Sequence, residues 1–217
     1  MTMTAPSGRL NTALAQVPVW GYAAGAALLV ALQVAVLHGL GQPFVAASGR
    51  ILLWIGNPLS PDTSQQLSDW YSFSHFIHGF IFFGMLRWIA PRLPFGARLL
   101  IAMAAEIAWE FTENSPTVIQ HYRQQALAVG YTGDSVLNSV CDTVTMSAGF
   151  FFASVVRART VIALAVGLEI FTALSIRDNL TLNVFNLIAP AEWAPVRAIH
   201  DWQAGAKMAG ESRQDRR

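Results

Sequence analysis

Five apolar runs divide this chain, at about 17–40, 72–90, 97–114, 135–156 and 160–177. Each is near the roughly 20 residues that an α-helix needs to cross a bilayer. Backbone N–H and C=O groups in hydrocarbon must be satisfied within their own segment, so such runs fold as helices and pack on one another. The expected fold is all-α: a polytopic integral membrane helical bundle with about five transmembrane helices. Composition agrees, since 53% of the 217 residues are hydrophobic and only 12% charged, against roughly 25% charged in a soluble domain. A net charge of +1 gives no basic field and excludes a nucleic-acid-binding protein. The single cysteine, Cys141, excludes an internal disulfide and a multi-cysteine metal cluster.

The first run, VPVWGYAAGAALLVALQVAVLHGL, is longer than a signal-peptide core, and no crisp A-x-A site follows it closely. It reads as an uncleaved anchor helix. Pro91 and Pro94 separate the second and third runs, Pro116 closes the third, and Arg157 and Arg159 mark a tight turn between the fourth and fifth. Residues 1–16 and 208–217 read as flexible tails around a single membrane domain, 17–207. Two further segments are apolar but too short or too broken to cross. Residues 44–58 and 184–203, the latter with Trp193 and Trp202, are expected as interfacial segments. Arg87, Arg92, Arg98, Arg157 and Arg159 lie in short loops and place those loops in the cytoplasm. The N-terminus is then cytoplasmic and, with five spans, the C-terminus outside. The tail residues Lys207, Arg213, Arg216 and Arg217 argue the other way, but tails constrain topology less than short loops.

Ionisable residues interrupt these runs where hydrocarbon tolerates them least. His75 and His78 open the second run, Glu106, Glu110 and Glu113 close the third, and Asp134, Asn138 and Asp142 open the fourth. Arg177, Asp178, Asn179 and Asn183 follow the fifth. Alternating topology brings all of them to one level facing the outer (periplasmic) side. Helical spacing strengthens this, because i, i+3, i+4 and i+7 residues share a face, and such stripes build metal sites inside helix bundles. Glu169 stands apart in the middle of the fifth run, without an evident partner.

Three chemistries fit the cluster. A divalent metal (Zn, Mn or Mg) could be held by His75, His78, Glu106, Glu110 and Asp142. Glu113 and Asp134 would then serve as acid or base, and Arg123, Arg177 and Asn138 would contact substrate. Metal-free acid–base work is the second. A satisfied polar network holding helices around a wet vestibule is the third. The corresponding functions are a metal-dependent hydrolase acting on an anionic amphiphile, such as a lipid or isoprenoid-linked envelope substrate, and a non-catalytic protein binding a lipid headgroup or a partner. A transporter fits less well, because five spans without a repeat and a site at one end do not make alternating access.

The strings DWYSFSHFIHGF (69–80), EIAWEFTENSPTVIQHYR (106–123), YTGDSVLNSVCD (131–142) and IRDNLTLNV (176–184) resemble a bacterial inner-membrane family of unknown function, over roughly residues 45–205. The order of the H-x-x-H-G, E-x-x-x-E and GD…N…D elements is also distantly similar to VanZ-like membrane proteins. The resemblance implies an integral inner-membrane protein and marks the same polar residues. It implies no activity.

Overall fold

The computed structural model describes residues 6–124, 127–128, 130–190 and 192–214, with side chains from residue 11 to 205. Among the described residues it is all-helical. In chain order the helices are α1 (Pro6–Ala15), α2 (Val19–Gly39), α3 (Ser72–Ile89), α4 (Phe95–Glu113), α5 (Pro116–Tyr122), α6 (Val136–Val155), α7 (Ala158–Ile176), α8 (Leu180–Ile188) and α9 (Ala194–Gln214). Helices occupy all five predicted intervals. Among the described residues only α2, α6 and α7 are long and apolar enough to cross a membrane, fewer than the five spans expected. The shortfall has a plain cause: α3 carries His75, His78 and Arg87, and α4 carries Arg98 and three glutamates. Helix α1 and the end of α9 lie where tails are expected. Residues 1–5 and 215–217, and the side chains of Arg9, Lys207 and Arg213, fall outside the described residues.

Helices α3 and α6 form the tightest pair, and the sequence explains why. A Cβ on Gly79 would fall on the backbone of Met146 and Phe150, and one on Gly149 would fall on the carbonyl of Phe76. Glycine on both helices lets the backbones touch. Gly84, one turn on, faces open space and has no such role. Leu86, Ala102, Met103, Met146 and Phe150 form the main core between α3, α4 and α6, and α2 packs on it through Ala26, Leu29 and Val30. On the other side α7 contributes Val161 to a second cluster with Phe80 and Ala153. The outward faces are apolar: Leu28, Ile81, Ile101, Val144, Phe151, Ile162, Val166 and Leu174 are all exposed.

Residues 44–58 do not form an interfacial helix. Together with residues up to 71 they make an irregular loop, punctuated by Gly49, Gly56, Pro58 and Pro61. Paired backbone bonds hold it: Ile55 N–H to Ser68 O at 3.0 Å and Leu67 N–H to Leu52 O at 3.1 Å. This loop lies over the start of α6. Its carbonyls at Pro43, Phe44 and Ser64 accept from the backbone amides of Val136, Leu137 and Ser135 (2.8–3.1 Å). Those are among the orphan donors that every helix start must satisfy. Residues 184–203 fall mostly in α8 and α9, with Trp193 and Trp202 exposed as expected of an interfacial segment.

Candidate functional site

The start of α3, the end of α4 and the start of α6 meet at one end of the bundle, and each is fixed by local chemistry. Ser135 caps α6, accepting from Asn138 N–H at 3.1 Å. Asn114 ends α4 and locks onto Asp134: its Nδ2 donates to an Asp134 carboxylate oxygen at 2.8 Å, and its Oδ1 accepts from Asp134 N–H at 2.6 Å. Gly133 precedes this lock with φ +93°, and a Cβ there would collide with Gln42 and Asn114, so the turn requires glycine. Asn138 donates to Gln66 O at 2.8 Å, and Gln65 donates to Gly133 O at 2.7 Å. These bonds tie the 44–71 loop to α6.

Beneath this collar lies a buried histidine–carboxylate cluster. Glu106 is fully buried and takes one imidazole on each oxygen: His75 Nδ1 at 2.5 Å and His78 Nδ1 at 2.9 Å. A carboxylate accepting from both Nδ1 positions orients the two rings and leaves each Nε2 turned elsewhere. His75 Nε2 lies 3.8 Å from an Asp142 oxygen, and Ser72 Oγ donates to the other Asp142 oxygen at 3.2 Å. Glu110 is held from behind. Gln33 in α2 donates to Ser139 Oγ at 2.8 Å, and Ser139 donates on to Glu110 Oε2 at 2.5 Å. The other oxygen of Glu110, Oε1, is buried 3.6 Å from His75 Nδ1 and has no hydrogen-bond partner. Two groups have ligand atoms close enough to share an ion, all within 4.8 Å of one another: His75, His78 and Glu106, and His75, Glu110 and Glu113.

A cavity of about 410 Å³ opens above His75. Its walls come from the 58–65 loop, residues 127–128 and 130–132, and the ends of α3, α4, α6 and α7. Glu113, Asp134, Asp142 and Asp178 line it together with Tyr71, Tyr122 and Tyr131, and no lysine or arginine does. Burial raises the Asp134 carboxyl to about 6, against the opposing bonds from Asn114 and Tyr131. Burial likewise lifts Asp178 to about 7, although it accepts from Asn179 N–H and from Tyr71 OH. The Tyr122 and Tyr131 hydroxyls are pushed up by burial and by Glu113 and Asp134 beside them. None of the three tyrosines is a ready anion.

The structure thus brings together His75, His78, Glu106, Glu110, Glu113, Asp134 and Asp142, all expected at one level. Asn138 lines the cavity but spends its amide on the loop. The two arginines expected at the site face away from it. Arg123 is exposed and donates to Tyr131 O at 2.6 Å. Arg177 donates to Trp202 O at 2.6 Å and stacks over its ring, joining α7 to α9. Glu169 has a partner after all: its oxygens accept from Leu180 and Thr181 N–H (3.1 and 3.0 Å), capping α8. Gln33 and the tyrosine wall escape a reading of the sequence. The one signal for Gln33 is an amide in an otherwise apolar helix.

Comparison with known proteins supplies kinship without an activity. A family model described as "Protein of unknown function (DUF2585)" matches residues 37–205. A UPF0314 protein of Sphingopyxis alaskensis is 53% identical over 180 residues, covering 83% of this chain and 93% of the relative. UPF0314 proteins of Rhizobium johnstonii and Agrobacterium fabrum are 47% and 44% identical, covering 86% and 85% of this chain and 92% and 89% of theirs. No solved structure matches the chain.

Proposed function

The chain belongs to the DUF2585 (UPF0314) family, whose name carries no activity, so its chemistry has to be argued from the site. We propose that it is an integral protein of the bacterial inner membrane that holds a divalent cation at His75, Glu110 and Glu113. In this reading it hydrolyses a lipid or isoprenoid-linked envelope substrate.

The orphaned Glu110 Oε1 carries the proposal. A buried carboxylate oxygen without a donor is costly, and Glu110 has His75 and Glu113 in ligand range; with His75 Nδ1 held by Glu106, the nitrogen left for an ion is Nε2. The alternative trio, His75, His78 and Glu106, supports a cation less well, because both Glu106 oxygens already have imidazole partners. Glu106 and His78 therefore act as orienting groups rather than ligands. Asp142, facing His75 Nε2, is a fourth donor. One imidazole among several carboxylates suits Mn or Mg better than Zn.

A divalent cation there would supply a Lewis acid and an acidified water. The chain's own groups do the rest. Asp134, its carboxyl raised to about 6, would take a proton from the attacking water and return it to the leaving oxygen, while Glu113 stays with the cation. An anionic head would be met by the cation, since the lining offers no basic side chain. The positive-inside bias of Arg87, Arg92, Arg98, Arg157 and Arg159, at the bundle end opposite the cavity, supports a cavity opening on the periplasmic side. The shared order of polar elements still suggests a distant kinship with VanZ-like membrane proteins.

The test is Mn²⁺ binding to chelator-treated protein in detergent, followed by electron paramagnetic resonance. One ion per chain is expected, with affinity at least tenfold lower in Glu110→Gln and in His75→Asn. Absence of stoichiometric binding overturns the proposal. A second reading, a non-catalytic binding protein with a structural network, draws on the satisfied Asn114–Asp134 and Asn138–Gln66 bonds. It predicts no stoichiometric Mn²⁺ binding and a lower melting temperature in Asp142→Asn.

A further inference from the structure

The His75–Glu106–His78 bridge links two cavities of opposite character. On the His75 side lies the acidic cavity described above. On the His78 side lies a groove of about 410 Å³, lined by His78, Phe82, Ala105, Ala108, Trp109 and Val184 among others. The two imidazole rings are 5.3 Å apart and nearly perpendicular, and Glu106 joins them. His75 lines the first cavity and His78 the second, so the bridge joins their linings.

The groove has almost nothing to offer a polar ligand. His78 Nδ1 is held by Glu106, and the Thr112 hydroxyl, also in the lining, is spent on Ala108 O at 2.8 Å. What remains is methyl groups, the rings of Phe82 and Trp109, and two ring nitrogens, His78 Nε2 and the Trp109 indole N–H. Ala105 and Ala108 are exposed, and the groove continues onto the apolar outer faces of α3 and α4 at Ile81, Met85 and Ile101. An opening of this kind, on the side of the bundle that carries its apolar surface, admits hydrocarbon and excludes water-soluble ligands. The acidic cavity has the reverse property.

We propose, building on the metal reading above, that the substrate is an amphiphile bound astride this bridge. Its hydrocarbon chain lies in the groove against Phe82 and Trp109. Its phosphate head reaches over His78 and His75 to the cation at His75, Glu110 and Glu113. The groove sets chain selectivity, the cavity selects the head, and His78 marks the junction. Entry is lateral, from the apolar side, rather than through the mouth between the 58–65 loop and residues 130–132.

A C16 alkyl phosphate carrying a mid-chain diazirine tests this in lipid nanodiscs loaded with Mn²⁺. After irradiation, peptide mass spectrometry is expected to find adducts concentrated on the 80–84 and 105–109 segments. Excess dodecyl phosphate should compete them away and butyl phosphate should not. Ala108→Trp, which fills the groove from an exposed position, should cut labelling there at least fivefold. Ala104→Trp, equally exposed on the same helix but outside the lining, should not. Adducts spread evenly over α2 and α7, or equal competition by both chain lengths, would overturn the proposal. Bound Mn²⁺ in the same sample separates the two readings. Groove labelling without bound Mn²⁺ sinks the metal centre and keeps the amphiphile; bound Mn²⁺ with scattered adducts does the opposite.

Discussion

Asp178 shows how much a single buried carboxylate sets the working range of this protein. It sits between the end of α7 and the start of α8, 2% exposed, with only Tyr71 OH and Asn179 N–H to offset its burial. Its pKa is about 7 in the folded chain against an ordinary 3.8, so the folded state holds the proton more tightly than the unfolded one. The sign follows from linkage: its contribution is intact on the acid side and is lost as pH rises from about 4 to about 7. With about 1.4 kcal/mol per pKa unit, the loss amounts to at most about 4 kcal/mol. Asp178→Asn should therefore raise the melting temperature at pH 8, by the equivalent of about 1–2 kcal/mol once one imperfect hydrogen bond is allowed for. At pH 4 it should change little. Melting curves of both proteins across that range, in one detergent, check it; an equal gain at both pH values would contradict the assignment. The sequence announced Asp178 as one polar residue in a polar stretch. Its burial comes from α8 and Tyr71 closing over it, contacts about 107 residues apart in the chain in the case of Tyr71, which spacing along a helix does not reveal.

At the level of the helix, the site depends on how closely α3 and α6 approach. Gly79 and Gly149 permit that approach, and His75 is one turn from Gly79 on the same helix. Gly149→Ala places a methyl group on the Phe76 carbonyl, and neither backbone can retreat without opening the core around Met146 and Phe150. Overpacking of this kind costs about 1–3 kcal/mol. Gly84→Ala, in open space, should be neutral or slightly stabilising, as alanine is the better helix former. Thermal unfolding of the two variants should separate them clearly. Mn²⁺ affinity should fall in Gly149→Ala although no ligand has changed, because moving α3 draws His75 away from Glu110. The helices themselves were legible, since apolar runs and proline breaks mark α2, α3, α4, α6 and α7. The stripes of His75 and His78, and of Glu106, Glu110 and Glu113, placed the cluster at the right helix ends. What periodicity left open is the assignment of partners. That both Glu106 oxygens are paired while Glu110 is held through one depends on Gln33 and Ser139, on two other helices, as well as on the histidines. The 44–58 segment, expected as interfacial, is irregular rather than helical because Gly49, Gly56 and Pro58 interrupt it.

For the molecule as a whole, the cavity and the basic loops lie at opposite ends of one bundle. The starts of α3 and α6 and the ends of α4 and α7 surround the cavity, so the α3–α4 and α6–α7 turns must lie at the far end. Arg92 and Arg157 lie in those turns and Arg87 and Arg159 at the flanking helix ends, which in the proposed membrane orientation face the cytoplasm. The outward faces of α2 and α7 are apolar and mostly unburied within the protein, as hydrocarbon requires of them. With Cys141→Ser as background, a cysteine at exposed Gln124, beside residues 127–128 of the cavity wall, should react with a membrane-impermeant maleimide in intact spheroplasts. A cysteine at exposed Arg92, in the α3–α4 turn, should react only after lysis. The reverse pattern would put the cavity in the cytoplasm and remove envelope lipids of the outer leaflet as substrates. Labelling of both sites before lysis would mean that the bundle does not divide two compartments, and the lateral route into the groove would lose its basis.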